Sequence, residues 1–106
     1  MLMAKPANKQ KRAELPKQCA QTSVFKKSWE RYKRAGRRDM NEVRQVMIML
    51  FLGEALPPEY LDHALTGDWI GFRECHIGGD FLMIYEHTRS DLITFVDLGS
   101  HSELFK

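Results

Sequence analysis

The sequence predicts a mixed α and β fold, in which a helical hairpin covers a sheet built largely in the last third of the chain. Three observations predict it. Two stretches carry apolar residues at helical spacing, around Phe25-Trp29-Tyr32 and around Val43-Val46-Leu50. Phe72 to Tyr85 reads as strand, glycine turn and strand, with Gly78-Gly79 at the bend. A further strand, Leu92 to Leu98, follows a polar turn at Thr88-Arg89-Ser90-Asp91.

A chain of 106 residues is enough for one domain with one core. Its apolar content is ordinary for a folded globule. The longest apolar run, Val46 to Leu52, is far short of the roughly 20 residues that span a bilayer. Met1-Leu2-Met3-Ala4 lacks the apolar centre of a signal peptide, and Cys19 and Cys75 form no disulfide framework. The expectation is a cytoplasmic protein, with both thiols acting as small buried hydrophobes. The net charge of +2 conceals an asymmetry. Residues 1–53 hold 13 Lys/Arg against 4 acidic residues, and residues 54–106 hold 3 against 10, giving +9 and −7. A basic half suits a polyanion or an acidic partner.

Residues 1–13 have many charges and no apolar period, and are read as a flexible basic arm ahead of one domain over 14–106. Glu14 to Gln21 contains Pro16 and suits a short edge strand. Thr22 or Ser23 caps the first helix, whose aromatic stripe is core, and Gly36 ends it. Asp39 with Glu42 has the pattern of a capping box for the second helix, which Gly53 stops. Leu56 to Leu61 is an irregular connection that brings Asp62-His63-Ala64-Leu65 to the sheet edge. The run Phe81 to Tyr85 suits a strand buried on both faces. Ser100 with Glu103 can open a final helical turn that packs Leu104 and Phe105 onto the body.

Together these motifs resemble one family. Asp62-His63-Ala64-Leu65, Gly67-Asp68-Trp69, Arg73-Glu74-Cys75-His76-Ile77 with Asp80, Leu82 to Tyr85 and Gly99 to Phe105 are similar, in order and spacing, to the YafQ branch of the RelE/ParE toxins. With the helical hairpin the resemblance covers roughly residues 14–106. It implies a RelE/ParE-like α/β (α+β) fold, the hairpin packed on a mainly antiparallel, roughly four-stranded twisted sheet. It also implies a toxin of a bacterial type II toxin–antitoxin system, an endoribonuclease that cuts translated mRNA on the 70S ribosome without a metal or other cofactor. The implied partner is a cognate antitoxin of the ribbon-helix-helix, DinJ/RelB-like kind, through which operator DNA would be reached. By position, His63, His76, Asp80 and His101 match the family's catalytic set. Phe105 matches its terminal aromatic, and Phe81 stands where relatives carry tryptophan.

Metal-free RNA cleavage needs a base for the 2′-OH proton, an acid for the leaving 5′-oxygen and positive charge beside the phosphorane. Imidazole serves either proton role near neutral pH. His101, in a turn after the last strand, is assigned as the acid; His63 and His76 are candidates for base or charge stabilisation. His87, at a strand end, is read as surface. In a strict two-residue hairpin Ile77 opposes Asp80 and His76 opposes Phe81, which sends Asp80 and His76 to opposite faces. Asp97 stands where related toxins carry an arginine, a change that removes a cation from an electrostatic site. Arg73 is a candidate replacement cation that binds substrate with Phe81 and Phe105, and Asp97 is a candidate partner for protonated His101. Two other readings are a toxin-fold binding module that acts with an antitoxin in repression, and a hydrolase with His63, His76, Asp80 and His101 as zinc ligands.

Overall fold

The computed structural model describes residues 18–105, so the expected arm at 1–13 lies outside the described residues. Five strands form one sheet in the order β1-β5-β4-β3-β2, where β1 is Gln18–Gln21, β2 His63–Ala64, β3 Arg73–Gly78, β4 Phe81–Arg89 and β5 Leu92–Gly99. The β1–β5 pairing is parallel and the other three are antiparallel. One strand more than expected appears because both edges are very short pieces, which carry little periodic signal. Cys19 lies exposed on the β1 edge, against expectation, whereas Cys75 is fully buried. Burial pushes the Cys75 thiol well above its ordinary range.

Helix α1, Ser23–Ala35, starts where the Thr22 hydroxyl accepts the Phe25 amide and ends at Gly36 in the left-handed region, φ 67°. Helix α2, Met40–Phe51, starts on Asp39, whose carboxylate accepts the amides of Asn41 and Glu42. Glu42 does not complete a capping box; its carboxylate accepts the Tyr60 hydroxyl at 3.1 Å and ties α2 to the following connection. Phe25, Val43, Val46 and Leu50 pack on Cys75, Ile77, Phe81, Met83, Tyr85, Ile93, Phe95 and Leu98, with Trp29, Tyr32 and Met47 at the margin. Of the aromatic stripe of α1, Phe25 is core, and Trp29 and Tyr32 are partly buried at its edge.

The other face of the sheet has its own small core. Leu82, Ile84 and Leu104 pack there with Leu65, Trp69, Phe72, Val96 and Phe105. Leu104 belongs to α3, His101–Leu104, which Ser100 and Glu103 open with a complete capping box. The apolar run 81–85 of β4 is therefore buried on both faces, as its continuity requires, while residues 87–89 are exposed. Among the described residues no helix is long and apolar enough to cross a membrane.

Candidate functional site

Strand register decides which residues share a face. His63 pairs with Glu74, Glu74 with Ile84, His76 with Leu82, and Leu82 with Gly99. Side chains directly opposite one another lie on the same side of a sheet. His63, Glu74 and His76 therefore stand on the face of Leu82 and Ile84, which is the face that α3 covers with Leu104.

The turn between β3 and β4 is shifted by one residue from the expected hairpin. Gly78 pairs with Phe81, a bulge falls between His76 and Gly78, and the two-residue loop is Gly79-Asp80. Gly79 holds the positive φ, 54°, that its first position demands. Consequently His76 opposes Leu82 rather than Phe81. Asp80 is aimed at α3 instead of at His76, and its Oδ1 accepts the His101 backbone amide at 2.9 Å.

Glu74 is the residue that sequence reasoning missed. Its side chain is 7 % exposed and lies between two imidazoles, with Oε2 3.6 Å from His63 Nε2 and Oε1 3.4 Å from His76 Nε2. The rings are 6.3 Å apart, centre to centre. A buried carboxylate needs such partners, because isolated burial of the charge is costly. The signal was readable: Glu74 precedes His76 by two, so in a strand the pair share a face. His63 is fixed from behind as well. Its Nδ1 lies 2.7 Å from the Leu61 carbonyl oxygen, which can only accept, so Nδ1 carries the proton and Nε2 is presented to Glu74. Leu61 holds a left-handed φ of 49°, alone in this among the described non-glycine residues. That local strain is consistent with a backbone carbonyl turned for a purpose.

Asp62, next to His63, is anchored from the opposite face. Tyr85 donates its hydroxyl to Asp62 at 2.5 Å, and Arg73 Nε lies 3.4 Å from the same oxygen and 3.2 Å from the Tyr85 hydroxyl. Arg73 thus points away from the histidines, since it alternates with Glu74 along β3, and the cation expected beside them is turned to the other face. Phe81 also departs from expectation. It is 2 % exposed in the main core, beneath Tyr32 at 4.8 Å between ring centres and with the Arg38 guanidinium 5.1 Å from its ring centre. A ring enclosed in this way has no free face on which to stack a base. Phe105, by contrast, is only half-buried, with its ring 5.0 Å from that of His101 and 5.8 Å from that of Trp69.

Asp97 is occupied structurally. The Ser28 hydroxyl of α1 donates to its Oδ1 at 2.7 Å, and the Leu98 amide does so at 2.7 Å. The carboxylate braces the helix on β5, where an arginine was expected from the resemblance. His87 is exposed, its ring edge-on to Tyr85 at 5.7 Å. Among the described residues no group of three or more His, Cys, Asp or Glu is placed to hold one metal ion.

This arrangement can be compared with known proteins. The family model for the bacterial toxin of a type II toxin–antitoxin system, YafQ, matches residues 17–106. The chain belongs to the YafQ toxin family. It is 38 % identical to the mRNA interferase toxin YafQ of Escherichia coli K12 over 69 residues, 64 % of this chain and 74 % of that protein. The toxin chain of the E. coli DinJ–YafQ toxin–antitoxin complex superposes with a TM-score of 0.78 at 28 % identity, covering 87 % of this chain and 100 % of that one. A metal-bound toxin from Helicobacter pylori superposes with a TM-score of 0.76 at 32 % identity, over 83 % of this chain and 98 % of that one. In this chain His63 and His76 stand on one sheet face, and His101 opens the helix α3 that covers that face with Leu104.

Proposed function

We propose that this YafQ-family toxin is an endoribonuclease that cuts messenger RNA by imidazole acid–base chemistry, and that a cognate antitoxin neutralises it. The observation that carries the reading is the shared carboxylate of Glu74 between His63 and His76, on the sheet face that α3, the helix His101 opens, covers with Leu104. One of the pair takes the 2′-OH proton, the 2′-oxygen attacks phosphorus, and the bond to the 5′-oxygen breaks as His101 protonates it. The other imidazole stands beside the phosphorane, where donated hydrogen bonds stabilise its charge. Asp80 acts through His101, by holding the backbone of its turn, and Phe105 supports the His101 ring and offers an aromatic edge to a base.

Substrate delivery by the ribosome fits the charge distribution. Lys26, Lys27, Arg31 and Arg34, with Glu30 among them, line a shallow concavity of about 520 Å³ on α1, whose excess of positive charge suits a phosphate backbone. This surface lies on the helical side of the sheet, so ribosomal RNA and the scissile mRNA would be held on different faces. The antitoxin would carry the DNA-binding end that reaches the operator, and the place of action is the cytoplasm.

The second reading, a toxin-fold module that serves only in repression, is favoured by Asp97 in place of the arginine. Expression in a host lacking the antitoxin separates the two. Growth arrest that His101→Ala abolishes and antitoxin co-expression reverses is expected; harmless expression of the native chain, made in soluble form, favours the module.

A further inference from the structure

Helix α3 has only four residues, far too few to persist without help from tertiary contacts, yet it carries His101. What holds it is therefore part of how the site works. We propose that Tyr32 and Glu103 form a latch between α1 and α3 that sets the position of the His101 imidazole, making both of them positioning residues for cleavage. This rests on the reading of His101 as the general acid.

The contacts close a ring. The Tyr32 hydroxyl donates to Glu103 Oε1, and the Ser100 amide donates to the same oxygen at 2.8 Å. The Tyr32 ring lies on Phe81, the residue after Asp80, whose carboxylate holds the His101 amide. One tyrosine thus touches the capping carboxylate two residues after His101 and the strand residue next to Asp80, which anchors the His101 backbone. Helix α1 already grips β5 along the same stripe, through Thr22 on the Val96 carbonyl at 2.6 Å and Ser28 on Asp97 at 2.7 Å, and Tyr32 is the next turn of that stripe. The hydrogen bond from Tyr32 holds the Glu103 carboxyl below its ordinary range, so the charged acceptor is the resident form. Arg31 is a lesser contributor. It lies 3.6 Å from Glu103 Oε2 with both side chains well exposed, a geometry in which ion pairs are weak.

Gly99 gives an independent handle. A β-carbon at Gly99 would meet Glu103 Oε1 at 2.8 Å, so the carboxylate occupies space that only glycine leaves free. Gly99→Ala displaces the acceptor without altering either latch residue.

The test is single-turnover cleavage of a defined mRNA on 70S ribosomes by the full chain and by Tyr32→Phe, Glu103→Gln, Gly99→Ala and His101→Gln, with the His101 ring resonances recorded for the first three. Each of those three is expected to lower the maximal rate about 10- to 100-fold, as small misplacements of reacting groups do. The toxin concentration giving half-maximal rate stays unchanged, and the His101 ring signals move. The Tyr32→Phe, Glu103→Gln double variant is no slower than the slower single, because the two remove one shared interaction. Native rates in all three with an inactive His101→Gln would overturn the latch and leave the nuclease reading standing, as would a loss confined to thermal stability. Native cleavage by His101→Gln would instead overturn the role of His101 itself, and the latch with it.

Discussion

Asp80 accepts the backbone amide of His101 across a gap of 21 positions in sequence, at 2.9 Å. The β3–β4 turn and the start of α3 are thereby one unit. The bond uses only an acceptor oxygen, which an amide side chain also has. Asp80→Asn is therefore expected to keep most of the native cleavage rate, while Asp80→Ala loses about tenfold or more as the His101 turn loosens. Rates on ribosome-bound mRNA decide it. A loss in Asp80→Asn as large as in Asp80→Ala would mean that the charge of Asp80, not its grip on the backbone, is what counts.

Glu74 makes a different prediction because its charge faces two imidazoles at once. Glu74→Gln keeps the volume and the buried amide finds fewer suitable partners. We expect cleavage to fall about 10- to 100-fold, the usual scale for losing support of acid–base groups. Folding stability falls by about 1–3 kcal/mol as a buried polar group loses its match. Denaturant titration and single-turnover rates measured on the same preparation check both numbers, and native values for both would remove Glu74 from the site.

Burial makes Phe81 a stability residue. Phe81→Leu is expected to cost about 1–2 kcal/mol in urea unfolding through lost packing under Tyr32. Its affinity for ribosome-bound mRNA stays unchanged. Weakened mRNA binding in a variant that folds normally would restore the substrate-contact role.

The Ser28–Asp97 hydrogen bond predicts that Asp97 is a brace. Asp97→Asn retains an acceptor for Ser28 and is expected to cleave at close to the native rate, with a stability change within about 1 kcal/mol. Asp97→Arg removes that acceptor and leaves the buried Ser28 hydroxyl unpaired. Thermal melts and cleavage rates distinguish this from a tuning role. A strong rate loss in Asp97→Asn alone, at native stability, would show that the carboxylate acts on the chemistry.

Much of this molecule is legible in its sequence, and the exceptions have physical causes. The Phe25-Trp29-Tyr32 stripe, the Gly36 stop and the Ser100–Glu103 capping box are local patterns, and local patterns are read well. Gly78-Gly79 is a strong turn signal and predicts a hairpin one residue earlier than the observed Gly79-Asp80 loop, because a bulge cannot be seen in composition alone. That single slip governs where Asp80 points. Arg73 reads as a replacement cation and Phe81 as an aromatic in the place of a relative's tryptophan, yet alternation along β3 and β4 sends both to the helical side. Glu74, two residues before His76, carries no signal in the sequence beyond that spacing, because its carboxylate gains meaning only where β2 pairs His63 with it. Leu61, with its left-handed backbone, is invisible until the chain is folded.

The central claim is that imidazoles gathered on one face of this sheet cleave RNA, and primer extension on ribosome-bound mRNA tests it most directly. The native chain should cut within the ribosomal A site. His63→Gln, His76→Gln and His101→Gln, each folded by circular dichroism, should each cut at least about 100-fold more slowly. A folded native chain that leaves the message intact, or three histidine variants that cut as fast as the native protein, would contradict it.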